Sequence, residues 1–218
     1  MGLNVSKGNM YDFITHTWNT IKGECYHDCN YCYMKRWGKL NTVRFDRKEL
    51  NTDLGHGNFI FVGSSCDMFA ENIPKEWIVE TLRYLCKFDN KYLLQTKNPK
   101  RLFGLDLPKC VICTTIESNI FYPSIMNNSP KPSERAEYMQ KLSDCGFETF
   151  VTIEPIMDFN LPSMVALIQQ CNPGQVNIGA DSGNNKLPEP SKEKVMELIS
   201  ELQKFTTIHN KSNLGRLL

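Results

Sequence analysis

From Phe59 onward the chain alternates between short, almost wholly apolar runs and longer stretches with an apolar residue every three or four positions. Phe59-Ile60-Phe61-Val62 reads as a strand ending in Gly63-Ser64-Ser65, after which Pro74 opens a helix carrying Ile78, Leu82 and Leu85. Tyr92-Leu93-Leu94 is a second strand, ending at Gln95-Thr96-Lys97 before Pro99 starts a short helix. Residues 110–116 are β-branched and apolar, as in a parallel strand buried on both faces. A helix from about Ser133 carries Ala136, Met139 and Leu142, with Gly146 where a C-cap belongs. Phe150-Val151-Thr152-Ile153 predicts a strand, and Val165 and Ile168 mark the helix after it. Val176-Asn177-Ile178 predicts another strand, followed by a helix with Ser191 as N-cap and Val195, Leu198, Ile199 and Leu202 inward. Thr206-Thr207-Ile208 predicts a last short strand. This alternation implies an α/β chain of parallel βαβ units with right-handed crossovers. The pattern alone leaves a closed barrel and an open doubly wound sheet both standing.

Composition narrows the class. With 218 residues, 41% hydrophobic and 22% charged, the chain is an ordinary globular one, and no linker or repeat divides it, so a single domain over 1–218 is expected. No apolar run approaches the roughly 20 residues that span a bilayer. The N-terminus, MGLNVSKGNMYDF, lacks the apolar stretch of a secretory signal, so a cytoplasmic protein without membrane association is expected. Twenty-five Lys and Arg against 24 Asp and Glu generate no strong global field. One local stretch is different: Lys35, Arg36, Trp37, Lys39, Arg44, Arg47 and Lys48 combine cations with an aromatic, a mixture that holds phosphates and stacks bases.

Nine cysteines, an odd count without a secretion signal, read as reduced thiols. Three are clustered as Cys25-Tyr26-His27-Asp28-Cys29-Asn30-Tyr31-Cys32. Three thiolates at this spacing can converge on one inorganic centre. A zinc ion with His27 as fourth ligand is one reading, although His27 stands between Cys25 and Cys29, which makes wrapping all four around one ion awkward. An iron–sulfur cluster held by three cysteines, leaving one iron open to a small ligand, is the other.

Cys25-x-x-x-Cys29-x-Tyr31-Cys32 resembles the signature of the radical S-adenosylmethionine (SAM) superfamily. That resemblance implies a partial (βα)6 TIM-like barrel, a 4Fe–4S cluster on Cys25, Cys29 and Cys32, and SAM as second cofactor. It also implies cleavage of SAM to a 5′-deoxyadenosyl radical that takes hydrogen from the substrate, with a flavodoxin or ferredoxin as electron donor. Trp18-Asn19, Ser65-x-Asp67-x-Phe69, Thr96-Lys97-x-Pro99, Ile153-Glu154-Pro155 and Gly179-x-Asp181-Ser182-Gly183 are together similar to a phage-associated radical SAM family. The cysteine loop is similar to that of spore photoproduct lyase, a DNA-repair member, so a nucleic-acid base is the first substrate candidate. A small metabolite or peptide is the second. From another class, a non-catalytic zinc- or cluster-binding module also fits the cysteines.

Barrel enzymes carry their chemistry at the C-terminal ends of the strands, and here those ends are polar. By resemblance, Tyr31 lies near the adenine. Gly63, Ser64 and Ser65, with Asp67, stand where the superfamily has a Gly-Gly-Glu for the SAM ammonium. Thr115 and Glu117 fall where ribose hydroxyls are bound, and Glu154 and Gly179 flank the adenine or substrate. Lys97 joins Cys66 and Cys113 as catalytic candidates, the two thiols as possible donors of a returning hydrogen atom.

Overall fold

The structure, a computed structural model, describes residues 2–7 and 10–218. Strand β1 (Asn4–Val5) lies antiparallel to β2 (His16–Trp18), and a separate small hairpin pairs β3 (Ile21–Lys22) with β4 (Arg44–Phe45). From β2 the main sheet continues in parallel through β5 (Phe59–Val62), β6 (Lys91–Thr96), β7 (Cys110–Thr115), β8 (Glu148–Ile153), β9 (Gln175–Ile178) and β10 (Thr207–Asn210). Helices α1 (Lys75–Leu85), α2 (Pro123–Met126), α3 (Pro132–Asp144), α4 (Leu161–Gln170) and α5 (Lys192–Leu202) occupy the crossovers after β5, β7, β8 and β9, and the one after β6 holds only the short 3-10 helix Pro99–Leu102. This is the partial TIM-like barrel expected from the sequence, with strand order in the main sheet following chain order.

From β5 to β9 the sheet buries both faces, which is why those strands read as largely apolar runs. Ile60, Val62, Leu94, Ile112, Val151, Ile153, Val176 and Ile178 belong to one core with the helices. Alternate residues, Phe61, Leu93, Val111, Cys113 and Phe150, belong to a second core on the other face, as the two-residue period of a strand requires. That second core is closed by Tyr11 and Ile14, with Met10 and Phe13 packed against it. The segment before β2 therefore plugs the barrel lumen.

Local signals behave as their chemistry dictates. Ser191 caps α5 by accepting from the Lys194 amide, and Asn160 caps α4 through the Ser163 amide. Past α3, Gly146 has φ +86° and the Phe147 amide reaches back to the Leu142 carbonyl, the left-handed exit expected there. Strands β6 and β10 run past the apolar cores expected for them, to Thr96 and Asn210. Strands β1 to β4 and helix α2 carried no legible pattern, because two to four residues are too few to show a period.

Candidate active site

The three clustered cysteines sit on consecutive tight turns between β3 and β4. The Asp28 amide donates to the Cys25 carbonyl, and the Cys32 amide to that of Cys29. The loop is clamped from outside by the segment around α2. The Asn30 amide donates to the Ile125 carbonyl, the Asn128 amide to that of His27, and the Asn128 side chain to that of Tyr26. From inside it is pinned by His27, whose Nε2 lies 2.8 Å from Asp67 Oδ2. The same Asp67 oxygen accepts from the Thr96 hydroxyl and the Lys97 amide, each at 2.9 Å, and Oδ1 accepts from the Phe69 amide. Burial works against the charge on Asp67, yet the His27 contact and these donors hold its pKa below the ordinary value. Burial likewise disfavours protonated His27, and Asp67 outweighs it, raising the imidazole pKa.

Cys25, Cys29 and Cys32 line one cavity of about 690 Å³ at the C-terminal ends of the strands. Tyr31, Gly63, Ser64, Ser65, Asp67, Lys97, Thr115 and Glu154 line it too. The turn at residues 63–65 is shaped by Gly63 at φ +79° and by Asn19, whose Oδ1 accepts from the Ser65 amide. Among the described residues, no three His, Cys, Asp or Glu side chains converge as closely as one metal ion demands. All nine cysteines are free thiols. Cys25 is brought down to about 6 by the hydrogen bond from Cys66. At Cys29 burial opposes ionisation, but the ammonium of Lys97 prevails and lowers its pKa.

Lys97 is the hub of the wall that holds Cys29 and Tyr31. Its Nζ lies 3.1 Å from Cys29 Sγ, 2.6 Å from the Tyr31 hydroxyl and 3.3 Å from Glu117 Oε1. Tyr31 also donates to Glu117, and Arg135 Nη1 holds the other Glu117 oxygen at 2.7 Å. Both Arg135 and Glu117 are fully buried. Four expected site residues are therefore not on the cavity wall: Glu117 lies behind Tyr31 and Lys97, Cys66 lies behind Cys25, Cys113 is sealed in the lumen core, and Gly179 sits behind Glu154. A Cβ on Gly179 would stand 2.8 Å from Glu154 Oε1 and 2.9 Å from Asn213 Oδ1, so only glycine leaves room for that carboxylate. Glu154 is in turn held by Lys211 at 2.5 Å and Asn213 at 2.9 Å.

Several site residues had no sequence signal. Tyr11 reaches the cavity floor, its hydroxyl 2.8 Å from Gln95 Oε1 and 2.6 Å from Thr152 Oγ1. Lys211 follows β10, stands over the Tyr11 ring at 4.5 Å and also lines the cavity. Arg135 sits on α3 at a position that reads as a polar face. The basic stretch divides: Lys35, Arg36 and Lys39 line the cavity, whereas Arg47 pairs with Glu80, and Arg44, Arg47 and Lys48 lie off it.

Comparison with solved structures finds the same fold in spore photoproduct lyase. The lyase complexed with dinucleoside spore photoproduct superposes with a TM-score of 0.62 at 9% identity, over 95% of this chain and 80% of that chain. A lyase variant with bound AdoMet and the same dinucleoside gives 0.56 at 11% identity over 94% of this chain; the match spans 66% of that chain's length. SuiB of Streptococcus suis bound to S-adenosylmethionine gives 0.52 at 8% identity, over 90% of this chain and 50% of that one. These are radical SAM enzymes, and the likeness at such identities is one of fold. No family model and no curated protein matches the chain.

Proposed function

We propose that this chain is a radical SAM enzyme that acts on a nucleic-acid base. The observation that carries the reading is the placing of Cys25, Cys29 and Cys32 on one wall of a large cavity at the strand ends of this fold. The donor set suits a 4Fe–4S cluster: three thiols free of disulfides line one cavity, Cys25 and Cys29 shifted toward the thiolate and Cys32 shifted away from it by burial, and among the described residues no three side chains close on a single ion. A cluster held there with SAM at its open iron would supply a 5′-deoxyadenosyl radical able to take hydrogen from an unactivated carbon. A flavodoxin or ferredoxin would be the electron donor.

The chain's own residues supply position and exclusion. Lys97 sets a buried cation against the Cys29 sulfur and fixes the Tyr31 ring, on whose face it also lies at 4.6 Å. Ser64 and Ser65 offer hydroxyls able to accept from an ammonium group, whereas Asp67 is spent on His27 and the β6 end. Tyr11, Phe61 and the lumen core close the floor, which keeps water from a reactive radical. A nucleobase is favoured as substrate by the shared fold with a lyase solved on a dinucleoside, and by the cations at the cavity mouth.

Anaerobic reconstitution tests the reading. The protein should take up iron and sulfide in equal amounts, and reduction with SAM present should release 5′-deoxyadenosine. Cys32→Ala should lose the cluster and the SAM cleavage together. A colourless protein loaded with zinc would overturn the proposal in favour of a non-catalytic module.

A further inference from the structure

The mouth of the cavity carries a feature that the chemistry inside does not use. The short helix Tyr33–Trp37 follows directly on Cys32 and buries none of its residues. At its end Trp37 is 77% exposed, the most exposed large apolar side chain among the described residues. Tyr33, Lys35, Arg36 and Lys39 line the cavity, but Trp37 does not, so the indole lies beside the opening and faces outward.

The charge around it has one sign to spare. Lys35 is paired with Asp28 at 2.7 Å. The Arg36 guanidinium donates only to the carbonyl and hydroxyl of Ser182, and no carboxylate pairs with Arg36 or Lys39 among the described residues. Glu24 is the remaining acid on this part of the wall. Two cations outside any ion pair among the described residues and a bare indole thus stand together at the opening.

We propose that this edge is a docking lip for a single nucleic-acid strand, in which Trp37 stacks on the base next to the one that enters the cavity. The inference rests on the nucleobase reading of the site and extends it to a substrate longer than one nucleotide. A base turned into the cavity leaves its neighbour without a stacking partner on one face. An outward-facing indole beside the opening restores that contact, and base–aromatic stacking is indifferent to sequence. Arg36 and Lys39 meet the backbone phosphates on either side.

The test uses the full chain with its cluster reconstituted, and a labelled oligothymidylate followed by fluorescence polarisation. Trp37→Ala should weaken binding about tenfold, and Trp37→Phe should restore most of it. Arg36→Gln and Lys39→Gln should each lower the salt dependence of binding by about one counterion. Thymidine monophosphate should bind Trp37→Ala and parent alike. If Trp37→Ala binds the oligomer as tightly as the parent does, the lip is refuted while the nucleobase reading stands. If the parent binds no oligomer even at low salt, the nucleobase reading falls and the lip with it. If Trp37→Ala instead slows reduction by a flavodoxin with oligomer affinity unchanged, the patch is a protein-docking surface and the proposal is overturned.

Discussion

At the end of β7, Glu117 is kept ionised in a place where burial alone would protonate it. Burial raises its pKa, and Arg135 and Lys97 overcome that, so it settles at about 2 against an ordinary 4.5. A carboxylate depressed in the folded state adds stability that is complete above its ordinary value and lost as the pH falls toward the folded one. The denaturant midpoint should therefore drop on going from neutral pH to about pH 3. Glu117→Gln should lower stability at neutral pH by about 3–5 kcal/mol, because Arg135 stays buried without its counter-charge. That variant should also lose less than the parent on acidification. Urea unfolding of both proteins at both pH values checks this, and an equal acid-induced loss would remove Glu117 from the account.

The elements differ in how they spend glycine, and the difference is measurable. Gly146 ends α3 with φ +86°, and a Cβ there would meet nothing within 4 Å. Gly146→Ala should cost only the backbone strain, about 1–2 kcal/mol, read from thermal or urea unfolding, with the site unaffected. A loss below about 0.5 kcal/mol would mean that the helix exit relaxes to a right-handed one. This C-cap was visible in the sequence because a glycine at the end of an apolar period has one common use. The clamp on the cysteine loop was not visible. It consists of a backbone acceptor at Ile125, a backbone donor at Asn128 and the Asn128 side chain, which read as part of an ordinary turn-rich loop until the fold sets them against Tyr26, His27 and Asn30.

At the scale of the whole molecule, what was legible is what the outer face of the sheet dictates. Its strands had to be apolar to meet the helices, so β5 to β10 and four of the five helices follow from periodicity. The cysteine spacing pointed to the site because three thiols in eight residues have few uses. The lumen was hidden, because in a strand buried on both faces the inward set, Phe61, Leu93, Val111 and Phe150, looks no different from the outward one. Hidden with it was the filling of that lumen by the segment around Tyr11, whose Met10, Tyr11, Phe13 and Ile14 are too short a run to show a period. Tyr11 is only 3% exposed, stacks on Phe13 at 5.2 Å and bonds to β6 and β8. If it is the floor of the barrel, Tyr11→Ala should open a void between those strands and cost about 3–5 kcal/mol, as truncating a buried aromatic does. Tyr11→Phe keeps the ring and loses only the hydroxyl's hydrogen bonds, so it should cost about 1 kcal/mol. Trp37→Ala, made on the exposed indole, should fall within about 0.5 kcal/mol of the parent and serves as the surface reference. Unfolding midpoints of the three variants decide the matter: a Tyr11→Ala protein no less stable than Trp37→Ala would mean that the lumen holds its shape without the N-terminal segment.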